Sequence, residues 1–480
     1  MSAGLASRTL RNSVLVVSAR ALAKVGVFVV VILMLRHLPA ADFGRFSTMV
    51  VYATLAGIIA DLGLQTVFVR DVSRDRGELD RYLGNLISLR LLLLVLALLV
   101  MAAALRLLSP ALFPFTLGAF ALLLTTSYSS LLRAVFYIRG RLSYEAIAIL
   151  AEAAILLGLT LYAVRQGASW DTFLWVYSAS YGFTCLFALA VVRLGWHERI
   201  TPRFDWRFLR RLLAAGIPLA LGFTLTTVYA QVDIVLLQLW RGFEMVGWYS
   251  TANKYVDAIA WIPQSTMGAV FPVLSLLSTG GGSRLKLAYE KSYKMLAVLG
   301  VPLSVGLAVT AAPLVRLTAP AYTPAIPALQ ILAVSVFFLF VNNAFVYTLT
   351  AMNRQNDFTR LALLTLAVNL GLNLVLIPLA GYLGAAVAST LTEVALFLGG
   401  WWMVSRHLQA LPAVRAVLPV LISGGVMGAV LAVLRAAPLW ALVPLGAGIY
   451  VGGLVLFGAL DREEWAIVRA GLARRGPQTP

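Results

Sequence analysis

The sequence predicts an all-α polytopic membrane protein with about fourteen transmembrane helices, and three observations support that expectation. Hydrophobic residues fill 61% of the 480 positions and charged residues only 12%, whereas soluble domains average about 45–50% apolar and about 25% charged. Apolar runs of roughly 20 residues, enough to cross about 30 Å of hydrocarbon, recur along the chain between polar or Pro/Gly-rich breaks. Basic residues crowd every second break, which is how short loops fix the orientation of a membrane protein.

Taken in order, the first run spans 14–36. It carries Arg20 and Lys24 and has no small-residue cleavage site behind it, so it is expected to be a retained helix rather than a signal peptide. Spans at 45–65, 85–106, 110–132, 144–164 and 172–194 complete a first group of six. The basic stretch Arg199, Arg203, Arg207, Arg210, Arg211 follows and is expected to form an amphipathic helix on the membrane surface, with an entrance for an anionic group as the alternative. A second group of six spans 212–239, 248–272, 293–314, 326–350, 359–378 and 382–404, and two more helices occupy 413–434 and 438–459. Residues 1–198 thus hold a first lobe, 199–410 a second, and 411–480 the last two helices with a tail. Gly216-Ile217-Pro218 is expected to bend the seventh helix. Gly300-Val301-Pro302 in the ninth is left open, because transmembrane helices tolerate Gly and Pro.

Lys and Arg number 38 against 20 Asp and Glu, a net charge of +18. In a soluble chain that would suggest nucleic acid. With the N-terminus placed in the cytoplasm, 29 of the 38 fall in the N-terminal segment, the even-numbered connections and the tail. Only Arg36, Arg45, Arg106, Arg165, Arg241, Arg316 and Arg435 fall on the other side, and Arg90 and Lys254 stay inside helices. A wrong helix count would scramble this alternation. The basic excess is therefore topological, with both termini cytoplasmic, the plasma (inner) membrane as location, membrane lipids as surroundings and no nucleic-acid partner.

Chemistry is sparse. A single cysteine, Cys185, excludes a disulfide framework or a cysteine-ligated metal site within one chain. His37, His197 and His407 lie far apart and form no metal or acid–base cluster. No connection exceeds about 20 residues, which leaves no room for a soluble catalytic domain. A membrane glycosyltransferase, with its catalytic pair in a long external loop, is disfavoured, and a bundle that transports, conducts or scaffolds without covalent chemistry or cofactor remains.

The second and eighth helices begin alike, Phe43-Gly44-Arg45-Phe46-Ser47-Thr48 against Val246-Gly247-Trp248-Tyr249-Ser250-Thr251, offset by 203 residues. Six helices separate the copies, so the two six-helix halves form a parallel pseudo-repeat about an axis along the membrane normal, with a substrate path at their interface.

The Asp42-Phe43-Gly44 turn, the Ala60-Asp61-Leu62-Gly63-Leu64 helix end, Asp233 followed by Gly247-Trp248-Tyr249-Ser250, Asn369, Asn373, Pro378 and the string Gly381-Tyr382-Leu383-Gly384-Ala385-Ala386-Val387-Ala388 occur in that order over most of the chain. This set resembles the polysaccharide (O-antigen-type) flippases of the multidrug/oligosaccharidyl-lipid/polysaccharide exporter superfamily. The resemblance implies a two-lobed bundle with two appended helices. It also implies alternating access that carries a polyprenyl-diphosphate-linked oligosaccharide from the inner to the outer leaflet, beside other polysaccharide-assembly proteins. Multidrug antiporters and lipid II flippases of the same superfamily are the alternatives.

Ionisable groups inside a bilayer are costly and normally face a partner or a water-filled cavity. Arg20 and Lys24 stand i,i+4 on one face of the first helix, Lys24 about 10 Å inside the boundary at 1.5 Å per residue. Both are candidates to hold a diphosphate, with snorkelling to the surface as the competing role. Asp61 and Arg90 sit at matching depth on adjacent antiparallel helices, so an ion pair is expected, with substrate contact by Arg90 as the alternative. Glu152 shows no partner at its depth and is a candidate for proton coupling. Asp233 and Lys254 match in depth and are expected to pair, with Asp257 competing at i+3 from Lys254. Asn369 and Asn373 share a face, and Thr390 and Glu393 lie at comparable depth on the next helix. Such oxygen donors suit a hard cation. Resemblance to the lipid II flippase branch implies Asp233, Asn369, Asn373 and Thr390 as sodium ligands, with interhelical hydrogen bonding as the alternative. The coupling ion, Na+ or H+, stays open.

Overall fold

A computed structural model describes residues 3–196, 201–278, 282–408, 414–435 and 437–459, and these form helices joined by short turns with no strand among them. The helices are α1 (Ala3–His37), α2 (Ala40–Asp61), α3 (Leu64–Arg74), α4 (Leu79–Leu108), α5 (Thr116–Ile138), α6 (Leu142–Arg165), α7 (Thr172–Ala190), α8 (Trp206–Tyr229), α9 (Val232–Arg241), α10 (Phe243–Ser278), α11 (Gly282–Thr318), α12 (Ala325–Ala351), α13 (Gln355–Leu408), α14 (Val414–Val433) and α15 (Leu439–Leu456). Among the described residues 12 helices are long and apolar enough to cross a membrane, with Val417–Val433 as a shorter apolar helix.

α13 accounts for the difference from fourteen. Its 54 residues would run about 80 Å if straight, far beyond one bilayer. The chain breaks instead at Gly381, whose φ of 59° and ψ of −132° lie outside helical space. A side chain is strained in that conformation, so glycine is required there. Three residues on, a Cβ on Gly384 would collide with the Leu376 carbonyl. The Gly381-Tyr382-Leu383-Gly384 string is thus a tight turn that splits α13 into two spans. With α14 counted, fourteen apolar segments stand where the sequence places them.

The described chain forms two compact units. The first contains residues up to Ala258 with Thr318–Ala325 and Ala362–Ala388; the second contains Ile259–Leu317, Ile326–Leu361 and the chain from Ser389 onward. In the first unit α1 packs on α6, α5 on α7, and α2 on α4 and α5. Its apolar core gathers Val67, Phe68, Leu83, Leu131, Phe136 and Leu209 from α3, α4, α5 and α8. The second unit has its own core from Leu296, Phe345, Val404, Val420 and Leu454. There α14 packs on α15, and the Tyr450 hydroxyl donates to the Val298 carbonyl at 2.9 Å.

Two expectations are corrected. The seventh span runs helically through Gly216-Ile217-Pro218 and breaks at Ala230–Gln231, between α8 and α9. The basic stretch forms no separate surface helix: Arg203 precedes α8, while Arg207, Arg210 and Arg211 stand in its first turns, where Asp205 accepts a cap bond from the Phe208 N–H at 3.1 Å. Arg199, His197 and the tail from 460 lie outside the described residues. The strongly amphipathic helix is α3, set off from α2 by Leu62 and Gly63, both in the left-handed conformation at φ 44° and 74°. It buries Leu64, Val67, Phe68 and Val72 against the protein rather than lying on a surface.

The repeat has a structural counterpart inside the first unit. A Cβ on Gly44 would strike the Phe243 carbonyl, and a Cβ on Gly247 would strike the Ala40 carbonyl. Thr48 donates to the Gly44 carbonyl at 2.8 Å, and Thr251 to the Gly247 carbonyl at 2.7 Å. Each copy therefore offers the other the same bare glycine face, held by the same threonine.

Candidate functional site

A cavity of about 490 Å³ opens inside the first unit, within the usual range for small-molecule sites. Its walls come from α1, α2, α3, α4, α5, α7 and α10, and its charged lining residues are Lys24, Asp61, Arg90, Lys254 and Asp257. Polar lining comes from Thr54, Gln65, Thr126, Ser127, Ser130, Tyr177 and Tyr181, between apolar Phe28, Val31, Phe43 and Phe46.

Four of the five charges are matched. Arg90, only 1% exposed, bonds to Asp61 and to the Ser127 carbonyl and reaches the Ser130 hydroxyl at 3.3 Å. A buried guanidinium needs that compensation. The Asp61 side chain is 40% exposed and lines the cavity. Lys254 Nζ lies 3.2 Å from the Asp257 carboxylate. Asp257 is thus the partner of Lys254, and the expected Asp233–Lys254 pair is absent. Lys24 lines the cavity, exposed to it, with no hydrogen-bond or ion-pair partner among the described residues.

Arg20 points elsewhere. Its guanidinium bonds to the Tyr137 hydroxyl and stands 3.8 Å from Glu145, so it does not line the cavity with Lys24. It belongs to a network the sequence did not reveal. Arg133 donates to both oxygens of Glu145, at 3.0 and 2.6 Å, and Tyr137 adds a bond at 3.0 Å. Glu152, expected to lack a partner, accepts from the Thr184 hydroxyl at 2.6 Å and lies 3.8 Å from Arg133. Two arginines and two carboxylates thus tie α1, α5, α6 and α7 together.

Asp233 is buried, with Tyr249 donating to one oxygen and the Ile234 N–H to the other at 2.8 Å. Asn373 donates to the Asn369 side-chain oxygen at 3.0 Å, confirming their shared face, while its own buried Oδ1 has no hydrogen-bond partner. Thr390 and Glu393 belong to the second unit, where Thr390 donates to the Ile331 carbonyl at 3.1 Å and Glu393 accepts from Asn342 at 2.8 Å. Among the described residues no group of three His, Cys, Asp or Glu could hold a metal.

A family model described as polysaccharide biosynthesis protein matches residues 9–278. The chain belongs to that family. An uncharacterized membrane protein of Methanocaldococcus jannaschii, MJ1068, is 25% identical over 209 residues, 43% of this chain and 41% of that protein. The probable flippase AglR of Haloferax volcanii is 24% identical over 207 residues, 42% of this chain and 44% of AglR. The chain thus spans less than half the length of either relative. Among solved structures, the lipid II flippase MurJ in an inward closed conformation matches with a TM-score of 0.76 at 13% identity, over 92% of this chain and 98% of that one. An inward-facing multidrug resistance MATE family transporter of the MOP superfamily matches with a TM-score of 0.68 at 14% identity, over 81% and 95%. At such identities the likeness is one of fold. This member of the polysaccharide biosynthesis family is a multi-pass membrane protein that shares its fold with those two structures.

Proposed function

We propose that this protein moves a lipid-linked oligosaccharide across the membrane by alternating access, with a diphosphate held in the cavity of the first unit. The observation that carries this reading is the charge balance of the lining. Asp61 is matched by Arg90 and Asp257 by Lys254, which leaves Lys24 as the lining charge without a partner among the described residues. An anionic group is what such a cavity attracts, while an organic cation would favour the reverse balance. Hydroxyl and amide groups from Thr54, Gln65, Thr126, Tyr177 and Tyr181 offer hydrogen bonds to sugar. The prenyl chain stays in lipid, because its burial in a polar cavity would gain nothing. The excess of basic residues in alternate loops supports cytoplasmic termini in the plasma membrane, and with them loading from the inner leaflet.

Sodium coupling is supported by the orphan Asn373 oxygen beside Asn369 and by the buried Asp233. When bound, sodium would supply a fixed positive charge to these oxygens. Glu152, which accepts from Thr184 beside Arg133, and Glu393, which accepts from Asn342, are the corresponding candidates for protons.

Reconstitution in sealed vesicles tests the substrate class. A fluorescent polyprenyl-diphosphate oligosaccharide should reach the opposite leaflet at least tenfold faster than in empty vesicles, and an organic-cation dye should not move. The opposite selectivity would overturn the reading.

A further inference from the structure

A second concavity lies behind the first. A groove of about 860 Å³ runs between α5 and α7, lined by Leu124, Tyr128, Phe183, Leu186 and Leu189, with Arg193 at one end. Arg193 stands two residues from the end of the span Thr172–Gly195, in the single π-turn that closes α7, and is exposed. It makes no hydrogen bond or ion pair among the described residues. From Ala179 to Leu189 the apolar floor covers ten residues of helix, about 15 Å, which is half of a hydrocarbon core of about 30 Å. The groove is therefore about one leaflet deep, with Arg193 on the headgroup side.

We propose that this groove is a specific site for an anionic phospholipid, one acyl chain lying along α5 and α7 and the phosphate on Arg193. Charge complementarity favours a phosphate with no compensating cation over a zwitterionic headgroup, because a choline or ethanolamine would bring its own positive charge against the arginine. The site is separate from the substrate cavity. The α5 residues Leu123, Thr126 and Ser127 face the cavity, whereas Leu124 and Tyr128 face the groove. The Ser127 carbonyl accepts from Arg90, and the Tyr128 hydroxyl donates to the Ile87 carbonyl at 3.0 Å.

Native mass spectrometry of the detergent-purified full chain tests the site directly, with phosphatidylglycerol and phosphatidylcholine as competing probes. The wild type should retain phosphatidylglycerol in preference. Arg193→Ala should cut that preference roughly tenfold, the size of one lost charge-assisted hydrogen bond. Arg193→Lys should keep most of it. Leu186→Trp fills the groove from a side chain already 69% exposed and should lose the lipid with Arg193 intact. Equal retention by the wild type, Arg193→Ala and Leu186→Trp, or equal binding of the two lipids, would overturn the proposal. Neither result depends on what the cavity transports.

Discussion

Lys24 stands one turn beyond Arg20 on α1, yet the two side chains serve different surroundings. Arg20 is drawn to Tyr137 and Glu145, and Lys24 faces the cavity alone. Removing Lys24 should leave the fold intact and weaken headgroup binding by about 10–100-fold, the scale of a hydrogen bond to a charged group. Asp61 behaves oppositely. Asp61→Asn leaves Arg90 buried and unpaired and should cost about 3 kcal/mol of stability, read as a lowered thermal midpoint in detergent. Asp61→Leu combined with Arg90→Met should recover much of that loss. A double variant as unstable as the single one would show that the pair is not what burial of Arg90 depends on. This pair was legible in the sequence because two opposite charges occur at equal depth on adjacent helices. The partner of Asp233 was not: Tyr249 is a neutral donor, and matching of charges cannot find it. Arg133 and Glu145 were missed for a related reason. Both stand near helix ends, where charge is cheap and reads as topology, although Glu145 is 1% exposed.

At the scale of elements, glycine decides where backbones meet. Gly44→Ala or Gly247→Ala drives a methyl into a carbonyl of the opposing helix and should destabilise the protein by about 1–3 kcal/mol through overpacking. Gly381→Ala strains the turn in α13 by a similar amount. Alanine at Gly158 meets nothing within 4 Å and is the matched control. Circular dichroism melts of the four variants check the ranking, and equal midpoints would contradict it. The Gly381 turn was legible because its string combines two glycines with an Asn-rich helix before it. The break at Ala230–Gln231 carries neither Gly nor Pro and left no local signal. Gly216-Ile217-Pro218 carried that signal without a break, since neighbouring helices can satisfy what a proline frees.

For the whole molecule, hydrophobic run length and charge alternation were enough to place fourteen apolar segments, because a bilayer imposes one length and one sign rule on every helix. The side-chain network around Glu145 was invisible at that resolution, since it depends on how helices rotate against one another. Orientation is open to direct test in a Cys185→Ser background. A cysteine at Asp75 should be labelled by an impermeant maleimide only from the cytoplasmic face, and one at Ala437 only from the opposite face. Lys24 is the residue proposed to hold the anionic headgroup of the cargo. The most direct measurement is the flipping rate of a polyprenyl-diphosphate oligosaccharide in sealed vesicles containing wild type, Lys24→Arg or Lys24→Ala at equal reconstitution. A rate that falls at least tenfold in Lys24→Ala and is largely kept in Lys24→Arg is the expected result; an unchanged rate in Lys24→Ala would contradict the account.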